Sequence, residues 1–458
     1  MDAAFAEDLG KSLHGRVVMP ADAVYDEARA LYNAMIDKRP AAIAQCADVS
    51  DVAAAVNAAR TDGIDLAVRG GGHNGAGLGS VDGGLVIDLS AMRHVRVDAD
   101  GMVHAAGGAL LSDLDAATAA AGGAVPVGIL GTTGIGGLTL GGGVGNVTRT
   151  LGLTIDSMVG ADVVLADGST VTVDEAHEPD LFWALRGGGG NFGIVTEFRF
   201  RMHPVTSVVA GPMLWPVDQT PEVLSAYREF MGGARDELNG YFALLTVPPV
   251  APFPEELQLT KCCGVLWCFV GTQEEADEAI APMRAVGKVA LDGVMPMPLT
   301  ALQAAFDPLY PPGQQWYWRT DFFREIDDDA VRINADFGAR MPTPQSAMHM
   351  YPVDGTAGRV GADDTAWAYR DARWCQVMVG VDPDPSNADV LRSWAVDYWE
   401  ALHPHSMGGG YVNMMMAEGD DDERVRNSYR GHYDRLRKIK RAYDPGNLFH
   451  VNQNIPPG

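Results

Sequence analysis

The sequence predicts an α+β protein of two domains. Three observations carry this: 458 residues at 47% hydrophobic content, a helix–strand alternation through the first 200 positions, and a change of texture near residue 206. A chain of this length exceeds one ordinary hydrophobic core, and its apolar content is enough to fold throughout.

The elements follow in chain order. Ser50 reads as a helix cap, Val52, Ala55, Val56 and Ala59 recur at helical spacing, and Gly63 is placed to stop the helix before the apolar run Ile64 to Val68. LVIDL (85–89) and VVLADGSTVTV (163–173) read as strands, the second folded at its Asp-Gly pair, and residues 111–121 read as an Ala-rich helix. From about residue 206 glycines thin out and prolines and aromatics rise. Strand-like KCCGVLWCFVG and WCQVMVGV there alternate with helical segments. Tyr433 to Arg441 reads as a helix ended by DPGN, in a tail expected to close back on the first domain. The expected division is 1–205, 206–414 and a returning segment 415–458.

Charge excludes some partners. The formal net charge is −26, so the average surface repels phosphate backbones and anionic lipid, and neither nucleic acid nor a membrane is an expected partner. The acid sits in short runs, Asp327, Asp328, Asp329 and Asp420, Asp421, Asp422, Glu423, which read as solvated surface. Nothing approaches the roughly 18 apolar residues of a membrane span, and the opening MDAAFAEDLGKSLHG lacks a secretory pattern, so a cytoplasmic location is expected. The five cysteines form no CxxC pair and read as reduced core thiols; the dispersed histidines offer no metal site.

Glycine concentrates in RGGGHNGAGLGS (69–80), GTTGIGGLTLGGGVG (131–145) and RGGGGNFG (186–193), each bracketed by apolar signals, which marks ordered loops. Main-chain N–H groups converge on an anion only where side chains do not crowd them, so Gly70, Gly71 and Gly72 after a strand suit a pyrophosphate. The spacing is not the GxGxxG of a Rossmann unit, which sets a nicotinamide dinucleotide aside. His73 at the end of this run reads as a structural imidazole, a base, or a nucleophile toward an electrophilic cofactor carbon.

VRGGGHN, GTTGIGGLTLGGGVG, DLFWALRGGGGNFGIVTEF (180–198) and YDPGNLFHVNQNIPP (443–457), in this order, resemble the berberine-bridge-enzyme-like FAD-linked oxidases of the vanillyl-alcohol-oxidase superfamily, in particular the bacterial branch. The resemblance implies a PCMH-type FAD-binding domain of two α/β subdomains, and a substrate domain built on an antiparallel sheet flanked by helices. It implies covalent FAD, bonded through the 8α carbon to His73. The rest of the cofactor would lie against Arg69, Gly70, Gly71, Gly72, Asn74, Gly79, Thr132, Thr133, Gly136, Gly137, Gly193 and Val195, with Asn452 and Gln453 near the isoalloxazine. Many relatives add a cysteinyl link from a GxCPTxGxGGH segment. Here Leu130 and Leu138 stand for its cysteine and histidine, so a single covalent bond is expected. The resemblance also implies that Thr133 falls at the position that gates oxygen near the flavin ring, where a small polar residue leaves oxygen reactivity open.

The activity implied is oxidation of a C–H bond next to oxygen or nitrogen of a small organic substrate by hydride transfer, with dioxygen or another electron acceptor as partner. A dehydrogenase, an oxidative cyclase and a non-catalytic flavin carrier are the alternatives. In SAMHMYPVDG alternation puts His349 and Tyr351 on one strand face, and the same reading of GGYVNMMM pairs Tyr411 with Asn413. Where many members carry a catalytic tyrosine this chain has Met414, so His349, Tyr351 and Tyr411 are the candidate bases. Trp316, Tyr317, Trp318 and Arg319 read as a pocket wall or a core strand.

Overall fold

The structure is a computed structural model that describes residues 3–417 and 421–458; Asp420 of the second acid run lies outside them. Asp327, Asp328 and Asp329 are exposed, and Asp327 caps the helix Asp328–Ala339 by accepting from the Ala330 N–H at 2.7 Å.

Three sheets make the frame. The first holds β1 (Arg16–Val18), β2 (Ala42–Gln45), β3 (Leu66–Arg69) and β4 (Leu85–Asp88) in the order β1-β2-β4-β3, with β2 and β3 both parallel to β4. β4 is buried along its whole length, which is why LVID reads as an unbroken apolar run ended by one acid. The helix Val49–Asp62 packs Val52, Ala55, Val56 and Ala59 against this sheet and ends at Gly63, whose φ of 63° suits glycine. Its cap is Asp48 and not Ser50: the Asp48 carboxylate accepts from the N–H groups of Ser50 and Asp51 at 2.9 and 3.2 Å. Ser50 itself lies inside the first turn, where its hydroxyl donates to the same carboxylate.

The second sheet holds β5 (Val95–Val97), β6 (Met102–Ala106), β7 (Met158–Val164), β8 (Thr170–Val173) and β9 (Ile194–Arg201), antiparallel throughout in the order β5-β6-β9-β7-β8. The expected Asp-Gly turn joins β7 to β8, and the Ala-rich helix spans Leu111–Ala120.

The third sheet has eight strands, β10 (Ser207–Pro216), β11 (Leu238–Thr246), β12 (Lys261–Phe269), β13 (Leu291–Asp292), β14 (Met295–Pro298), β15 (Gln315–Phe323), β16 (Ala347–Pro352) and β17 (Trp374–Asp382). Its path is β13-β10-β12-β11-β16-β17-β15, with β14 on β10, and every pairing is antiparallel. Register decides what each face carries. Trp318 pairs with Val379, Val379 with Ala347, and Val377 with His349, so these side chains share one face. On the opposite face the Arg392 and Arg319 guanidinium groups lie over the Tyr317 ring, and helix Ala388–Leu402 covers it with Leu391, Trp394 and Tyr398.

The tail returns to the first two sheets. Helix Tyr433–Tyr443 buries Tyr433, Leu436 and Ile439 in a cluster with Phe182, Phe192 and Ile455. Lys440, fully buried, donates to the carbonyls of Asn191 and Phe449 and to Asp444, at 2.7, 3.1 and 2.7 Å. Among the described residues no helix is long and apolar enough to cross a membrane.

Candidate active site

A cavity of about 320 Å³ lies between the glycine loops of the first two sheets and one face of the third. Its lining includes the candidate cofactor residues Arg69, Gly70, Gly71, Gly72, His73, Asn74, Gly79, Thr133, Gly136, Gly137, Gly193, Val195, Asn452 and Gln453, together with His349, Tyr351, Tyr411 and Asn413. Thr132 stands behind the wall and reaches it through His73.

Glycine is needed here for close main-chain approach. A Cβ on Gly71 would sit 2.3 Å from the Gly134 nitrogen, and one on Gly134 the same distance from the Gly71 nitrogen, so two of the glycine runs press backbone to backbone. A Cβ on Gly137 would meet nothing within 4 Å, because that position opens on the cavity. Arg69, buried and paired with Asp88 through Nη2 at 2.7 Å, keeps Nη1 unpartnered. Bare main chain, a spare buried guanidinium donor and, among the described lining residues, no acidic side chain fit the diphosphate of FAD. Asn452 donates to the Gly190 carbonyl at 2.9 Å, and Asn191 donates to the Gln453 carbonyl at 3.1 Å, which fastens the tail to the third glycine run.

His73 projects from the loop after β3, where Gly72 at φ 69° reverses the chain. Its Nε2 lies 3.0 Å from Thr132 Oγ1 and its Nδ1 3.4 Å from Thr133 Oγ1. Tyr32 stacks on the imidazole, centroids 3.8 Å apart and planes 18° off parallel, and donates its own hydroxyl to the Tyr310 carbonyl at 2.7 Å. Burial lowers the His73 pKa to about 4, so the ring is neutral and keeps a lone pair.

Across the cavity, His349 Nδ1 and Tyr351 Oη are 2.9 Å apart on β16, as the alternation predicts. Burial lowers the His349 pKa to about 4 and raises that of Tyr351, so both are neutral at pH 7. Tyr411 and Asn413 also meet, but not as strand neighbours: Val412–Met414 is one turn of 3₁₀ helix. Gly408, at φ 84°, and Gly409 and Gly410 precede it, and side-chain bonds take over the ordering that a sheet ladder would supply. Tyr411 Oη accepts from the Gly143 N–H at 3.0 Å and from Asn413 Nδ2 at 2.9 Å, and Nδ2 also reaches the Leu138 carbonyl at 3.0 Å. Burial pushes the Tyr411 hydroxyl up to about 12.

Of the run Trp316 to Arg319, Trp316 and Trp318 line the cavity; Tyr317 and Arg319 point to the helix-covered face, as strand period requires. All five cysteines are free and buried, and one of them, Cys375, lines the cavity, with burial pushing its thiol to about 12. Sequence reasoning missed Tyr32, Tyr310, Asn33 and Tyr241, whose ring packs against both His349 and Tyr351. None belongs to a glycine motif; the Tyr32 stack on His73, the Tyr310 contact with Trp316, the Asn33 bonds to Gly75 and Trp316 and the Tyr241 contacts reveal them.

The family models describe the same two regions. Residues 40–174 match an FAD binding domain, and residues 410–456 match berberine and berberine-like proteins. An FAD-linked oxidoreductase of Bacillus subtilis (strain 168), YgaK, is 31% identical over 97% of both chains, and (R)-6-hydroxynicotine oxidase of Paenarthrobacter nicotinovorans is 28% identical over 97% of both. The structure of a xylooligosaccharide oxidase from Myceliophthora thermophila C1 superposes with a TM-score of 0.88 at 25% identity, over the full length of each chain. With the whole chain matched and both motif-bearing segments in place, the protein belongs to the berberine-bridge-enzyme-like family of FAD-linked oxidoreductases.

Proposed function

We propose that the protein is an oxidase acting on a carbon that bears oxygen or nitrogen in a small organic substrate. FAD would be held by one covalent bond at His73, and dioxygen would take the electrons to give hydrogen peroxide. The observation that carries this reading is the placement of the neutral His73 imidazole on the wall of the same cavity as the neutral His349–Tyr351 pair. When bound, FAD supplies a two-electron acceptor.

The chain's own residues do the rest. Gly70, Gly71 and Gly72 offer main-chain N–H groups and Arg69 Nη1 a further donor to the diphosphate. Leu130 lines the wall where a cysteinyl tether would start, leaving His73 as the single attachment. Tyr411 and Asn413 orient a substrate oxygen or nitrogen. With Nδ1–H donating to Tyr351 Oη, His349 Nε2 is left to accept the proton of the substrate O–H or N–H as the hydrogen on the adjacent carbon leaves as hydride. Val377, Val379 and Ala347 keep water off that transfer.

Acid denaturation tests the tether: the yellow colour should precipitate with the wild-type polypeptide and stay in solution with His73→Ala. Colourless wild-type precipitate would overturn the covalent assignment. Mixing substrate-bleached enzyme with air-saturated buffer tests the acceptor, with recolouring within seconds and peroxide release expected. A cofactor that stays bleached in air would remove dioxygen from the reading.

A further inference from the structure

Trp316 and Trp318 are 5% and 6% exposed, line the cavity, and leave both indole Nε1–H groups without a partner. An indole N–H only donates, and a buried donor left unpaired is costly, so the occupant of this wall should bring an acceptor oxygen or nitrogen. The wall itself is aromatic. Tyr32 and Tyr310 approach Trp316 with ring centroids at 5.2 and 5.4 Å, and Trp318 meets it edge-on at 5.7 Å. Val377 and Val379 continue the same sheet face. No carboxylate or ammonium side chain is among the described lining residues, and the guanidinium of Arg69 sits on the glycine loop, paired with Asp88. An ionised ligand would shed its water here without a countercharge, and a polyhydroxylated one would strand most of its hydroxyls.

The two indoles are also held in place before any ligand arrives. The Trp318 ring lies over Gly75, where a Cβ would come within 2.3 Å of it. Asn33, fully buried, donates through Nδ2 to the carbonyls of Gly75 and Trp316 at 2.9 and 3.0 Å, and accepts from the Trp316 N–H at 3.0 Å. This clamp ties the aromatic wall to the loop that follows His73, so the donors keep a fixed position relative to the cofactor side of the cavity.

From this wall we infer that the substrate is an uncharged, planar aromatic alcohol, or an aromatic amine bound as its free base, carrying a hydrogen-bond acceptor and held by the indole N–H groups of Trp316 and Trp318. The inference rests on the cavity being the oxidation site proposed above. The test titrates the holoenzyme with para-methoxybenzyl alcohol, its near-isostere para-ethylbenzyl alcohol, anionic para-carboxybenzyl alcohol and cellobiose, reading Kd from the shift of the flavin absorbance bands. The methoxy compound should bind about tenfold tighter than the ethyl compound or better, as a site built around donors demands. Trp316→Phe and Trp318→Phe, each checked for wild-type flavin content, should shrink that ratio while ethyl binding holds. Equal binding of the two neutral probes, no saturable response to either, or tighter binding of the carboxylate or the sugar would overturn the inference. Anaerobic bleaching of the flavin is followed in the same titrations: selective binding without bleaching counts against the oxidase reading and leaves the wall's preference standing, whereas bleaching by cellobiose alone does the reverse.

Discussion

His349 faces the cavity from β16 with an imidazole that burial keeps neutral down to about pH 4. Because the charged form cannot accept a proton, kcat/KM for flavin reduction should be flat through neutral pH and fall as the medium is taken below that value. His349→Ala should lower turnover by about 10²–10⁴-fold while flavin content is retained. A variant with unchanged turnover would remove His349 from the role of proton acceptor. His349 and Tyr351 could be named from the chain, because period-two alternation in AMHMYP fixes their common face. Tyr32 could not: its value lies in a stack on His73 that no local pattern encodes. The same holds for Cys375, which reads as inert core and proves to border the cavity with its thiol held protonated.

Among the elements, the glycine loops make the sharpest contrast. Gly71→Ala would drive a methyl into the Gly134 backbone, and overpacking of this kind costs roughly 1–3 kcal/mol. Gly137→Ala would meet no protein atom and occupies the short helix Ile135–Leu140, where alanine is the better helix former. Thermal unfolding should therefore drop for the first variant and hold for the second, whereas the flavin-to-protein absorbance ratio should fall for both, since the second methyl enters cofactor space. Retained flavin in Gly137→Ala would show that this wall does not face the cofactor. The loops were legible because a glycine run between apolar segments has few physical purposes. The segment before Met415 was misread as a strand. Its Tyr411–Asn413 proximity comes from one 3₁₀ turn and bonds to Gly143 and Leu138, contacts far away in sequence.

For the molecule as a whole, closure depends on the tail. Lys440 and Asp444 form a buried pair that also gathers the Asn191 and Phe449 carbonyls, with Asp444 accepting from the N–H groups of Leu448 and Phe449 at 2.8 and 2.9 Å. Lys440→Met would strand a buried carboxylate, a loss of about 3–5 kcal/mol. The variant should melt at lower temperature, and flavin fluorescence on heating should rise earlier, because Asn452 and Gln453 lose their seat on the third glycine run. A wild-type melting profile would show that the tail is held by its apolar cluster alone.

By itself the sequence determined that this protein is an FAD-linked oxidoreductase: glycine spacing and the returning tail act through main chain and short-range geometry, which a linear pattern can express. What faces the glycine loops across the cavity was decided only by tertiary structure. Strand alternation says which residues share a face, but the order β11-β16-β17-β15 and the Asn33 clamp decide that Trp316, Trp318, His349 and Tyr351 look across one cavity at His73. Those are non-local pairings, fixed by the burial of a whole sheet face and by no property of the residues taken in order.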